Sequence, residues 1–192
     1  MATLSVKTRR WSRIEYAKLI ETGFFPPGER LELLGGDLVV REPQGDPHVL
    51  AIERANEALR AAFGPGWRVR VQLPIALDDE SEPEPDLSVA PSPLLDTSEA
   101  KPSHPALLIE VAESSLAFDR EHKGSLYARA QVPDYWIVNL VDRVLEVHRE
   151  PGAHPAAPYG WCYSAVQVLQ AGAFISPLAA AQARISIADL LP

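Results

Sequence analysis

The sequence of 192 residues suits one domain, and its 46% hydrophobic and 23% charged residues form an ordinary globular balance that can fill a core. The single cysteine, Cys162, excludes an intrachain disulfide and a cysteine-based zinc site. No apolar run approaches the roughly 18 to 20 residues that span a bilayer, and the N-terminus lacks a signal-peptide pattern, so we expect a cytoplasmic protein with no membrane partner.

The formal net charge of −8 argues against tight binding to a nucleic-acid duplex, because nucleic-acid-binding proteins usually carry a basic surface. The negative charge is concentrated over residues 78–86, whereas the N-terminus is basic. A bound metal ion would offset part of the acidity. The location of the charges therefore matters more than their sum.

The first forty residues predict an extension made of one helix and one hairpin. Residues 1–10 are predicted to be a flexible basic segment. Ser12 and Glu15 have the spacing of a capping box, which indicates the start of a helix. Apolar runs on both sides of a Gly-Gly-Asp turn predict a β-hairpin over residues 31–40.

Several polar residues in and after the hairpin could belong to a functional site, but each also has a simpler structural explanation. Glu32 lies in an otherwise apolar strand, and periodicity slightly favours a solvent-facing position over a role in a site. His48 falls in the first turn of a helix that begins at Asp46, where a lone histidine is more often a surface or capping residue. Residues 67–73 alternate like a half-exposed strand, and the acidic run 78–84 predicts a surface turn without a metal.

Two short apolar runs each carry one acidic residue. Asp86 stands at the start of a predicted strand over residues 87–90, and Glu110 is embedded in the run 106–112. Residues 91–105 are rich in Pro and Ser and predict an exposed loop between them. A carboxylate in a buried strand is costly unless it meets a cation, a donor or water, which makes Glu110 the most informative residue of the sequence.

A helix is predicted from Ser114 or Ser115 to Ala130. Asp119, Lys123 and Tyr127 are four residues apart and share one face of it, for which the ordinary interpretation is an ion pair on a solvated surface. The rest of the chain predicts strands over residues 134–140, 144–148 and 161–169, a mobile loop over 150–160 and a short closing helix over 187–191.

The two acids provide the minimum that Mg²⁺ needs if their strands are adjacent, and Mn²⁺ is the other candidate. The backbone carbonyl of Val111 is a natural further ligand. The metal would acidify a water molecule for in-line attack on phosphorus. Lys123 would position that water or neutralise the charge that develops on the phosphate. Asp86, Glu110 and Lys123 therefore predict a Mg²⁺-dependent nuclease site.

These residues resemble the motifs of the restriction endonuclease-like proteins of bacteria, in the PD-(D/E)XK nuclease superfamily. The resemblance extends over residues 11–148 and rests on four motifs, which are Pro85-Asp86, Glu110-Val111-Ala112, Lys123 with Tyr127, and Asp134-Tyr135-Trp136. It implies an α/β fold with a restriction-endonuclease-like core, in which a mixed β-sheet is flanked by helices and preceded by a helix and a hairpin. We expect residues 1–192 to form this single domain. The resemblance also implies Mg²⁺ dependence and phosphodiester hydrolysis.

The sequence departs from the superfamily pattern at Ala112, where that pattern has a lysine two residues after the second acid. In the bacterial proteins that the chain resembles, the lysine has moved to the following helix, which here carries Lys123. The resemblance further implies a second rank of site residues, which comprises Glu32, His48, Gln72 and Tyr127.

The expected activity is that of an endodeoxyribonuclease acting on DNA, and a two-fold homodimer is a reasonable expectation. A catalytically inactive binding or scaffold protein with the same fold is the competing class, which the acidic net charge and the missing lysine at position 112 support. A glycosidase that uses two carboxylates would be independent of metal and would need a cleft rich in exposed aromatic side chains. The four tryptophans lie mostly in apolar, strand-like contexts, which disfavours the glycosidase.

Overall fold

The structure is a computed structural model that describes residues 8–41, 43–92 and 101–192. Most of the predicted flexible segment 1–10 and the central part of the predicted loop 91–105 lie outside these ranges. The helices are α1 (Arg13–Glu21), α2 (Asp46–Phe63), α3 (Leu116–Phe118) and α4 (Gly124–Arg129). The strands are β1 (Leu31–Leu34), β2 (Asp37–Val40), β3 (Trp67–Val71), β4 (Leu87–Pro91), β5 (Leu107–Ala112), β6 (Asp134–Asn139), β7 (Val144–Ala153), β8 (Trp161–Leu169), β9 (Phe174–Ile175) and β10 (Ile185–Ser186).

Six strands form one mixed sheet in the order β3-β4-β5-β6-β7-β8. β5 and β6 run parallel, and the other four neighbouring pairs are antiparallel. The helical segment 116–129 joins the parallel pair, because parallel neighbours need a crossover connection. The predicted mixed sheet flanked by helices is therefore confirmed.

Helices cover both faces of the sheet, and β5 contributes to both cores. On one face, Leu59 of α2 belongs to the same apolar cluster as Ile109. On the other face, Leu108 and Ala112 pack in a second cluster that includes residues of α4. Because side chains alternate along a strand, Glu110 points to the α4 face of the sheet, between these two residues.

The N-terminal helix has the predicted cap. The Ser12 amide donates to Glu15 Oε2 at 3.0 Å, and the Glu15 amide donates to Ser12 Oγ at 3.3 Å, so the capping box is confirmed. The predicted hairpin is also present, as β1 and β2 pair antiparallel around a two-residue turn. In that turn Gly35 and Gly36 have φ of +56° and +86°, which side chains rarely allow.

The prediction of an acidic surface turn over residues 78–84 is wrong for part of that run. Ser81 and Glu82 are buried, and the Glu82 amide donates to the Leu33 carbonyl at 2.7 Å. Arg13 Nε donates to the Glu82 carboxylate at 3.0 Å. The first hairpin strand and α1 thus pack on this segment, and charge patterning does not reveal such a long-range contact.

Three further predictions change in their details. Strand β7 continues to Ala153, so residues 151–153 of the predicted mobile loop pair with β8. The predicted continuous helix 115–130 contains a π-helical segment, Asp119–Lys123, in which the Gly124 amide donates to the Asp119 carbonyl. The predicted closing helix is a 3-10 turn, Ile187–Asp189.

The C-terminal elements complete the core on the α2 side of the sheet. Ile185, Ile187 and Leu190 are buried in the same cluster as Leu59. Within the described ranges, no helix combines the length and the apolar character that crossing a membrane requires.

Candidate active site

Asp86 and Glu110 lie side by side because β4 and β5 are neighbours in the sheet. The antiparallel register pairs Leu87 with Ile109, the residues next to the two acids. The Asp86 amide donates to Glu110 Oε2 at 3.4 Å, and the Val111 amide donates to Asp86 Oδ2 at 2.9 Å. Both acids are 2% exposed. They line one cleft of about 470 Å³.

Lys123 reaches the same cleft from the π-helical segment. Its Nζ lies 3.0 Å from Glu110 Oε1 and 3.3 Å from Glu32 Oε2. Tyr127, one turn further on, donates its hydroxyl to Glu110 Oε1 at 2.6 Å. Lys123 and Tyr127 are buried, so the alternative of an ion pair on a solvated surface is wrong. The structure therefore brings Asp86, Glu110 and Lys123 together.

Periodicity slightly favoured a solvent-facing position for Glu32. The structure instead buries this residue, which is 1% exposed. Besides Lys123, its carboxylate contacts Arg41, whose Nε lies 3.3 Å away, and accepts from the Glu84 amide at 3.3 Å. The alternation of a four-residue strand does not show that the hairpin folds against the cleft. Glu32 joins the site for that reason.

His48 and Gln72 both lie against Asp86. The His48 Nε2 atom is 3.1 Å from Asp86 Oδ2, but the pair lacks hydrogen-bond alignment, so this nitrogen is a buried polar atom without a well-directed partner. Gln72 Nε2 donates to Asp86 Oδ1 at 3.3 Å and to Gln44 Oε1 at 2.7 Å. The surface interpretation of His48 is therefore wrong in this fold.

Two residues of the cleft were missed by the sequence analysis. Arg41 Nη2 and Gln44 Nε2 each donate to Asp86 Oδ1 at 3.2 Å. Both belong to the link between β2 and α2, where an arginine after an apolar strand has no distinctive pattern. Asp119 was noted for its helix face, and the structure buries it at 3% exposure with Ser115 Oγ donating to it at 2.6 Å.

The environment of Asp86 favours its ionised form. Burial raises the pKa of this carboxyl, but contact with His48, the hydrogen bond from the Val111 amide and the charge of Lys123 together leave the pKa below its ordinary value. The carboxylates around Lys123 outweigh the effect of burial and raise the pKa of the ammonium above its ordinary value. Asp86 is thus a permanent anion and Lys123 a permanent cation at neutral pH.

Glu110 behaves differently from Asp86. Burial raises the pKa of Glu110 to about 8; the charge of Lys123 opposes this shift, and the carboxylates of Asp86, Asp119 and Glu32 reinforce it. Burial thus moves the pKa of Glu110 upward toward neutral pH, and a further positive charge in the cleft would lower it again.

The cleft carries more negative than positive groups, which fits a divalent cation. Among the described lining residues there are two cationic side chains and five carboxyls, which are Glu32, Asp86, Glu110, Glu113 and Asp119. Nowhere in the described ranges do three or more His, Cys, Asp or Glu side chains converge so as to hold a metal by themselves. Mg²⁺ needs only one or two carboxylates, since waters and a phosphate complete its shell. Two adjacent carboxylates and the buried, poorly partnered His48 nitrogen are compatible with such an ion.

The sheet order, the flanking helices and the carboxylate–lysine cleft define a restriction-endonuclease-like α/β fold. A family model described as "Uma2: Putative restriction endonuclease" matches residues 14–188, and the chain belongs to this family. The resemblance seen in the sequence is therefore confirmed.

A solved structure shows the same fold. The crystal structure of a putative nuclease belonging to DUF820 from Anabaena variabilis superimposes with a TM-score of 0.65 at 19% sequence identity. The match covers 90% of this chain and 96% of the other. The comparison with curated proteins gives no significant match.

Proposed function

We propose that the protein is a metal-dependent nuclease that hydrolyses phosphodiester bonds of nucleic acid, as an endodeoxyribonuclease. The observation that carries this proposal is the convergence of Asp86, Glu110 and Lys123 in one cleft. Membership of the Uma2 family supports it, because the description of that family is "Putative restriction endonuclease". The crystal structure from Anabaena variabilis, described as that of "a putative nuclease", adds support from the fold.

The Asp86 and Glu110 carboxylates would hold Mg²⁺ or Mn²⁺. The Val111 amide already points at Asp86, and the carbonyl of the same residue is the proposed third protein ligand. Such an ion, when bound, lowers the pKa of a water molecule and offsets charge on the phosphate. The donor set thereby suits phosphodiester hydrolysis better than a metal-free reaction of two carboxylates.

Lys123 is the proposed catalytic amine. Its ammonium donates to Glu110 and stays protonated, so it can donate to a phosphate oxygen or hold the attacking water. Tyr127 and Glu32 position this amine and its partner, through the hydroxyl bond to Glu110 and the contact with Lys123. Lys123 would thus take the catalytic role that the superfamily pattern assigns to a lysine at position 112.

Cleavage assays test the proposal. Supercoiled plasmid DNA and a single-stranded RNA are incubated with the wild-type protein in Mg²⁺, in Mn²⁺ and in EDTA. We expect metal-dependent nicking of the plasmid, lost in Asp86→Asn and lowered by about 10²-fold or more in Lys123→Met, since one preorganised donor contributes on that scale. Glu57→Gln, on the exposed side of α2, is the matched control and keeps wild-type activity. Equal rates with and without metal would contradict the proposal.

A catalytically inactive protein with this fold is the second candidate, and one observation favours it. Asp86 Oδ1 accepts from Arg41, Gln44 and Gln72, so protein donors already satisfy this atom. Calorimetric titration with Mn²⁺ separates the two candidates. Binding that Asp86→Asn abolishes supports the nuclease, whereas no binding to either protein supports the inactive form.

We also propose that the chain acts as one domain, because β3 to β8 form one sheet with α2 and α4 on its opposite faces. A two-fold homodimer stays a prediction. Light scattering measures the mass in solution and tests that prediction directly.

A further inference from the structure

Arg41 is an always-charged side chain that contacts the Asp86 carboxylate directly. Its side chain, 10% exposed, extends into the cleft from the residue after β2. Nη2 donates to Asp86 Oδ1 at 3.2 Å, and Nη1 donates to Glu84 Oε2 at 3.2 Å. Nε lies 3.3 Å from Glu32 Oε1. One guanidinium therefore links three carboxylates at the rim of the cleft.

The lone pairs of Asp86 are largely occupied. Oδ1 accepts hydrogen bonds from Arg41, Gln44 and Gln72, and Oδ2 accepts one from the Val111 amide. An ionised carboxylate offers about four lone-pair sites. His48 Nε2 also lies 3.1 Å from Oδ2. Because Oδ1 already has three donors, a metal ion can bind this oxygen only if at least one of them withdraws.

Charge selects Arg41 as the donor that withdraws. Gln44, Gln72 and the amide of Val111 are neutral, whereas the guanidinium is always cationic and repels a divalent ion at the same oxygen. Arg41 also loses least by moving, because Glu32 and Glu84 remain as partners for its other nitrogens. Its long side chain allows such a shift without movement of the backbone.

We propose that Arg41 is the resident counter-ion of Asp86 and that a divalent cation enters the cleft by displacing its guanidinium from that carboxylate toward Glu32 and Glu84. The proposal rests on the proposed function, since it requires Asp86 to bind a metal. Without metal, Arg41 keeps the buried anion paired, which avoids the cost of an isolated charge. Metal affinity is therefore set by an exchange of cations, and Arg41 weakens it.

Calorimetric titration with Mn²⁺ tests the exchange. Arg41→Gln is expected to bind Mn²⁺ about tenfold more tightly than the wild type, because a charge-assisted hydrogen bond no longer competes for Asp86. Arg41→Lys keeps the positive charge but lacks the planar guanidinium, so its Mn²⁺ affinity is expected to lie between those of the wild type and Arg41→Gln. Arg30→Gln is the matched control: Arg30 Nη2 lies 3.7 Å from Glu84, so the variant loses the same charge nearby and keeps the affinity within about twofold.

A second measurement uses the wild-type protein and is independent of how the variants fold. In a crystal structure with Mn²⁺, Arg41 Nη2 is expected to lie beyond hydrogen-bond range of Asp86 Oδ1, more than about 3.5 Å away. A guanidinium that stays on Asp86 beside the bound ion overturns the inference, and so does an Arg41→Gln affinity equal to that of the wild type. If neither protein binds Mn²⁺, the metal-dependent function itself is overturned.

Discussion

Glu110 shows how one buried residue links proton binding, folding and metal binding. Its folded pKa of about 8 stands against an ordinary value of 4.5, and burial is the main cause. Between these two values the folded protein holds a proton on Glu110 that the unfolded chain releases. A metal ion that binds this carboxylate must displace the same proton.

The free energy of unfolding is therefore expected to decrease as the pH rises from about 5 to about 8, by at most about 1.4 kcal/mol per pH unit from this residue. The free energy of unfolding decreases because the folded state binds more protons than the unfolded state in that range. Urea unfolding of the metal-free protein at a series of pH values measures this free energy. Glu110→Gln removes this contribution and flattens the curve, whereas Glu57→Gln keeps the wild-type slope. Parallel curves for the wild type and Glu110→Gln would contradict the expectation.

The sequence predicted the site at those residues whose surroundings were local or matched a motif. Asp86 and Glu110 stand out in the sequence as acids of two short apolar runs, and Lys123 as an amine on the helix that follows, whereas Gln72 and the site roles of Glu32 and His48 came only through the family resemblance. Arg41 was missed, because its contacts join the hairpin to residues 45 positions away in the chain. The preference for an exposed Glu32 failed for the same reason, since the partner that buries it is the distant Lys123.

The hairpin β1–β2 is one of the elements outside the six-stranded sheet that supply residues to the cleft. It carries Glu32, and Arg41 follows directly after it. The turn of this hairpin leaves no room for a side chain at Gly36, because a Cβ added there would lie 2.7 Å from Arg10 Cβ. The conformation of this turn therefore controls where Glu32 and Arg41 lie.

Gly36→Ala is expected to destabilise the fold by about 1–2 kcal/mol for its positive φ, with a further cost from the clash with Arg10. Gly28→Ala is the matched control, since Gly28 has φ +88° and an added Cβ meets nothing within 4 Å. Thermal unfolding followed by circular dichroism measures both variants. A melting temperature as low in Gly28→Ala as in Gly36→Ala would show that the turn does not depend on this packing.

The helical segment 116–129, which connects β5 to β6, was predicted as a helix but not in its local geometry. A cap at Ser114 or Ser115 predicted a helix that continues to Ala130, and the structure has helical turns over 116–129. The π-helical segment Asp119–Lys123 inside it was not predicted, because one wider turn changes the apolar period too little to be recognised. This wider turn nonetheless carries Lys123, so its geometry decides where the amine lies.

At the scale of the whole molecule, the excess of acidic residues limits how the protein could bind a polyanion. Two of the basic N-terminal residues that the structure describes are paired with acids: Arg10 lies 2.7 Å from Glu80, and Arg13 lies 3.0 Å from Glu82. These arginines neutralise part of the acidic run. With a net charge of −8, the protein needs a further source of positive charge at the cleft to hold a phosphate.

Binding of duplex DNA is therefore expected to depend on the metal more than on surface lysines and arginines. Lys123→Met, in which cleavage is impaired, allows binding to be measured with Mg²⁺ present, by fluorescence anisotropy of a labelled duplex. We expect about tenfold or tighter binding in Mg²⁺ than in EDTA, because the ion supplies the charge that the surface lacks. The dependence of affinity on salt should be shallow, since few phosphates meet free cationic side chains. Adding Asp86→Asn to the same protein should remove the effect of Mg²⁺. Affinity that is equal in Mg²⁺ and EDTA, with a steep dependence on salt, would instead place the nucleic acid on a basic surface away from the cleft.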